Sequence, residues 1–107
     1  MIATAWNNGQ HLTSGAGYGL KLLARDRDRY FQRSWKRVLL QLEGYSQEVE
    51  VNVDKSSFWS PNCRELISKH IGMWLIENKL APWPKGKPPK LNLEPQGGNK
   101  FLLKPPK

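Results

Sequence analysis

The cations Arg25, Arg27, Arg29, Arg33, Lys36 and Arg37 are interleaved with Tyr30, Phe31 and Trp35. Guanidinium groups clamp phosphates bidentately and neighbouring rings stack on bases, so this mixture is what contact with a nucleic-acid strand requires. Tyr30 is the expected stacking residue. The same segment has a plainer reading, in which Asp26 and Asp28 pair with the arginines and the rings belong to the core. A second basic set, Lys85, Lys87 and Lys90, follows Trp83 in the run APWPKGKPPK at 81–90. Such a segment is extended and close to polyproline II, so it presents its lysines at little ordering cost. Trp83, flanked by prolines, also fits a lid over the core. If the two basic sets meet in space they form one groove. The expected contact residues are Arg25, Arg27, Arg29, Tyr30, Arg33, Arg37, Lys85, Lys87 and Lys90, and the expected partner is RNA or DNA.

Charge distribution carries this expectation. The chain has 107 residues and a formal net charge of +8, with an isoelectric point near 9.9. Residues 21–37 hold seven cations against two acids, and residues 79–107 hold seven against Glu94 alone. Between them, residues 43–54 carry four carboxylates and no base. A surface polarised in this way attracts anions, nucleic-acid backbones above all.

Other constellations point to weaker chemistry. The glycine-rich GAGYG at 15–19 leads into a strand, whereas a phosphate cradle leads into a helix, so a turn or bulge explains it as well. Cys63 is the single cysteine, which rules out an internal disulfide and a paired-cysteine zinc site. Early in a helix it would be an activated thiol, but it also begins an apolar stripe, and only a tertiary contact could bring His11 to it as a base. His70 reads as a core histidine with a backbone partner. Glu48, Glu50 and Asp54 share one face at strand spacing and, with Lys55, resemble a Mg²⁺-dependent nuclease set; alternation with valine is also how any half-exposed strand looks. No cofactor, metal or catalytic residue is assigned from these patterns.

The elements that position these residues follow from periodicity. Val38, Leu40 and Leu42 alternate with polar neighbours, as do Val49, Val51 and Val53, with Gly44-Tyr45-Ser46 between them: an antiparallel hairpin. Leu91 and Leu93 face Phe101 and Leu103 across EPQGGNK, a second hairpin. Residues 18–24 read as a strand, 1–17 as irregular, and ARDRDRYFQRS as an exposed connection or a short helical turn. Ser60-Pro61 reads as a helix start, followed by Cys63, Leu66, Ile67, His70, Ile71, Trp74 and Leu75 on one face of a helix at about 61–79. The expected fold class is α+β: a small antiparallel sheet of four to five strands, two hairpins plus an N-terminal strand, packed by one amphipathic helix. One domain over 1–104 is expected, with a frayed tail at 105–107.

WNNG at 6–9, SGAGYG at 14–19, KSSFW at 55–59 and APWPKGKPP at 81–89 together resemble small single-domain bacterial proteins of unknown function. That resemblance implies a short stand-alone protein and assigns no residue a role. The start MIATAWNNGQHL lacks a basic end and a long apolar run, so a cytoplasmic protein with no membrane partner is expected. The leading functional expectation is a non-enzymatic binding module contacting nucleic-acid backbone with low sequence specificity. Two others stand beside it. One is a homo-oligomeric or protein-interaction role through edge strands, with Glu48, Glu50 and Asp54 against a partner's arginines. The other is a small hydrolase or nuclease.

Overall fold

Val38, Leu40 and Leu42 turn inward from one strand and Val49 and Val51 from the next, and both rows are fully covered. In the computed structural model, which describes residues 1–106, this hairpin is one end of a larger sheet. The strands are β1 (Ile2–Asn7), β2 (Tyr18–Leu22), β3 (Arg37–Leu42), β4 (Glu48–Asn52), β5 (Glu65–Ile67), β6 (Lys90–Pro95) and β7 (Lys100–Lys104). Helix α1 (Ala24–Tyr30) follows β2, and α2 (Lys69–Glu77) follows β5. The seven strands lie in the order β4-β3-β7-β6-β1-β2-β5. All neighbours are antiparallel except β3 and β7, which run parallel. The outermost strands, β4 and β5, come close to each other, so the sheet curls into a nearly closed barrel around one core.

The α+β class and both expected hairpins are present, while the sheet exceeds the expected four to five strands. Residues 2–7, expected to be irregular, form β1 between β6 and β2. Its inward residues are Ala3 and Ala5 and its outward ones Ile2, Thr4 and Trp6, so apolar side chains mark both faces and the period-two contrast vanishes.

The expected helix over 61–79 is shorter and starts later. The Ser60 hydroxyl accepts from Cys63 N at 3.1 Å and donates to Ser57 O at 3.0 Å, closing a local turn. Arg64 then adopts a left-handed φ of 64°, which ends any helix there. Leu66 and Ile67 become β5, and Ser68 caps the true helix by accepting from His70 N at 3.2 Å.

Each end of the barrel has its own plug. At the Tyr18 end of β2, α2 inserts Ile71, Trp74 and Leu75, all buried. The Trp74 indole N–H donates to the Glu43 carbonyl at 2.8 Å, tying the helix to the β3–β4 turn. The helix approaches Gly15 so closely that a Cβ on Gly72 would overlap the Gly15 carbonyl. At the Leu22 end, Phe31 stacks on Phe101 at 4.7 Å and meets Phe58 edge-on at 5.2 Å. Each such aromatic pair adds roughly 0.5–1.5 kcal/mol beyond the area it buries. No helix among the described residues is long and apolar enough to cross a membrane. Of the expected tail at 105–107, Lys107 lies outside the described residues.

Candidate nucleic-acid interface

Because Ala3 and Ala5 point into the core, Thr4 points out, and register sets its neighbours. Lys90 of β6 pairs with Thr4 on one side and Lys21 of β2 pairs with it on the other. Directly opposed residues share a face, and strands are about 4.8 Å apart, so two lysines flank Thr4 across roughly 10 Å of sheet. Arg64 completes the set. Its carbonyl accepts from Leu22 N at 3.1 Å while its Nε donates to Leu22 O at 2.8 Å and its Nη1 donates to Pro61 O. The left-handed backbone makes this double clamp possible and holds the guanidinium at the lip of the same surface.

These residues, with Ile2, Leu22 and Leu23, line a groove of about 410 Å³. Three of the four large apolar side chains left exposed among the described residues, Ile2, Leu23 and Ile67, border this face at 44%, 47% and 41% exposure. These side chains give the face an apolar border. Trp6 extends the outward row Ile2, Thr4. It lies opposite Gly19, which sets no side chain beside the indole, and a Cβ at Gly19 would overlap the Leu66 carbonyl.

The cations of this face form no ion pairs. The ion pairs among the described residues are Arg27–Asp28, Arg37–Glu50, Lys100–Glu48 and Lys104–Glu94. None of them uses Lys21, Lys90 or Arg64. Glu65 stands opposite Lys21 in register but forms no ion pair with it. Burial lowers the pKa of Lys55, and Glu65 and Cys63 oppose that shift. A second cleft of about 490 Å³, lined by Glu43, Asn92, Glu94, Lys104, Pro105 and Pro106, offers no comparable charge. Its lysine already faces Glu94 at 3.4 Å.

Of the residues expected from the sequence, Lys90 joins this face. Lys85 and Lys87 are exposed in a turn just beyond Trp83, whose ring packs edge-on against His11 and Tyr18 at 5.0 and 5.7 Å. Trp83 is therefore the lid. The arginine segment leaves the Leu22 end of β2, about 13 Å along the strand from the Tyr18 end that Trp83 covers. Arg25 and Arg29 are exposed on α1, with Arg29 lying over the Tyr30 ring at 5.4 Å. Tyr30 packs against the core, so its expected stacking role has one ring face already engaged. Arg33 lies over Trp59 at 5.0 Å, and Arg37 faces Glu50 at 3.8 Å.

Arg27 corrects the sequence reading outright. It is buried, and donates to Phe58 O at 3.0 Å, Ser60 O at 2.7 Å and Asp28 at 3.0 Å. Its guanidinium is a structural crosslink, with Nε and Nη1 both spent on the protein itself.

The catalytic alternatives are not assembled. Cys63 sits in the turn before β5, at the Leu22 end, and not on a helix. His11 is at the opposite end, its Nδ1 3.0 Å from the Tyr18 hydroxyl. His70 has a side-chain partner in place of the expected backbone one: its Nδ1 is 3.2 Å from the Tyr45 hydroxyl, and it is only half-buried. Glu48 and Glu50 point at Lys100 and Arg37, and no group of three His, Cys, Asp or Glu among the described residues is placed to hold a metal.

Sequence reasoning passed over Trp6, Lys21 and Arg64. Lys21 was visible only as one more cation in a basic run, and nothing local pairs it with Lys90. No protein-family model matches this chain, and comparison with curated proteins and with solved structures returns no match.

Proposed function

We propose that this chain is a non-enzymatic binding module that holds nucleic-acid backbone with low sequence specificity. The contact face is the outer surface of β6, β1 and β2, with Lys90, Lys21 and Arg64 on phosphates and Arg25, Lys85 and Lys87 extending the positive field at its two margins. The observation that carries this reading is the register Lys90–Thr4–Lys21, which gathers two cations that form no ion pair beside a third that is locked in place. The net charge of +8 supports it by drawing polyanions to the whole molecule. Backbone contact of this kind reads no sequence.

The test is a binding titration on generic strands at several salt concentrations. Three phosphates neutralised correspond to a log–log slope of roughly −2 to −3, and replacing both Lys21 and Lys90 by Gln should flatten it by about 1.4–1.8. No binding at low salt, or a slope indifferent to the double substitution, overturns the reading.

A further inference from the structure

The five tryptophans have different fates. Trp74 is buried and bonded to Glu43. Trp59 donates to Val53 O at 3.0 Å and has Arg27 and Arg33 within 5.4 Å of its ring. Trp35 meets Phe31 and Phe101, and Trp83 meets His11 and Tyr18. Trp6 alone has no aromatic or cationic partner and no place against the core cluster, and its indole N–H bonds to no protein group among the described residues. It is only half-buried, and it points to the face that carries Thr4. Two residues along a strand is about 7 Å, so the indole root lies one strand-step from the row that holds Lys90 and Lys21.

A half-buried indole without ring or cation partners, beside cations that form no ion pair, is the combination that grips an unstacked base and its phosphates together. A duplex keeps its base faces stacked inside and offers such a surface only phosphate. The apolar border of Ile2, Leu23 and Ile67 fits bases and sugars and has no counterpart on a phosphate rail. We infer that this face selects single-stranded over double-stranded nucleic acid, with Trp6 as the platform on which one base stacks. The inference rests on the polyanion reading above and gives it a substrate class.

Three probes of equal length separate the two ideas at one low salt concentration: an oligothymidylate strand, an abasic sugar–phosphate strand and a duplex. The expected result is that oligothymidylate binds about 5- to 150-fold more tightly than the abasic strand, the range that stacking one base supplies. Trp6→Ala brings it to the abasic level, Trp6→Phe keeps most of the difference, and neither changes the salt slope. Equal affinity for the base-bearing and abasic strands, or for strand and duplex, overturns the inference and leaves the polyanion reading standing. Failure of all three probes to bind overturns that reading as well. Sedimentation of the unliganded chain supplies the remaining outcome: a dimer that Ile67→Asp and Trp6→Ala both dissolve assigns the face to a second copy and overturns the inference.

Discussion

Ser68 caps α2 through its hydroxyl oxygen, which accepts from His70 N at 3.2 Å. The serine-proline pair eight residues upstream has the stronger signature but closes only a turn. Ser68→Ala should therefore destabilise the protein by about 1 kcal/mol with a visible loss of helical ellipticity, read by urea unfolding followed by circular dichroism. Ser60→Ala should leave helicity unchanged. Equal loss of helicity in both variants would place the helix start back at residue 61.

Gly72→Ala improves helix propensity by about 1 kcal/mol and should nevertheless destabilise. The added Cβ overlaps the Gly15 carbonyl, and forcing the helix off its seat costs about 1–3 kcal/mol, by analogy with overpacked cores. A thermal midpoint at or above that of the parent would show that α2 has room to move.

Arg27→Ala removes the donor from two carbonyls and the charge from above Trp59. The expected loss is about 3 kcal/mol of stability, measured by denaturant midpoint, with nucleic-acid affinity of the folded protein nearly unchanged. A large affinity loss at intact stability would return Arg27 to the contact residues.

Burial holds the Tyr18 phenol above its ordinary value of 10.0. Above pH 10, up to the folded-state pKa, the unfolded chain has lost this proton and the folded chain keeps it. Stability therefore falls as pH rises through that window. Lys55 works the other way: its lowered pKa makes stability rise with pH below its ordinary 10.5. The difference between parent and Tyr18→Phe isolates the phenol. Urea midpoints across the alkaline range should fall less steeply in the variant, and identical slopes would remove Tyr18 as the cause.

Both hairpins were legible because Val38, Leu40, Leu42 and their counterparts alternate with polar residues, a contrast that survives without knowledge of the fold. Strand β1 was not, since Ala3 and Ala5 look no more buried than Ile2 and Trp6 look exposed. The helix boundary failed at Ser60, where a hydroxyl bonding locally imitates a cap. The candidate site was illegible for a topological reason. Lys21 and Lys90 become neighbours only through Thr4, and no pattern within a window of ten residues records a pairing between residues 4 and 90. The arginine run, by contrast, drew notice through local density and turned out partly spent on Phe58, Ser60, Trp59 and Glu50.

The placement of β1 between β2 and β6 has a consequence for how the protein comes into being. Its hairpin with β2 can form early, but its other edge waits for residues 90–92, far along the chain from β2. Long-range closure of this kind slows folding, and the unfinished edge is bare in the meantime. The surface where Lys90 meets Lys21 is thus completed late, so a chain stopped before residue 90 would carry Trp6 and Lys21 but lack the grip.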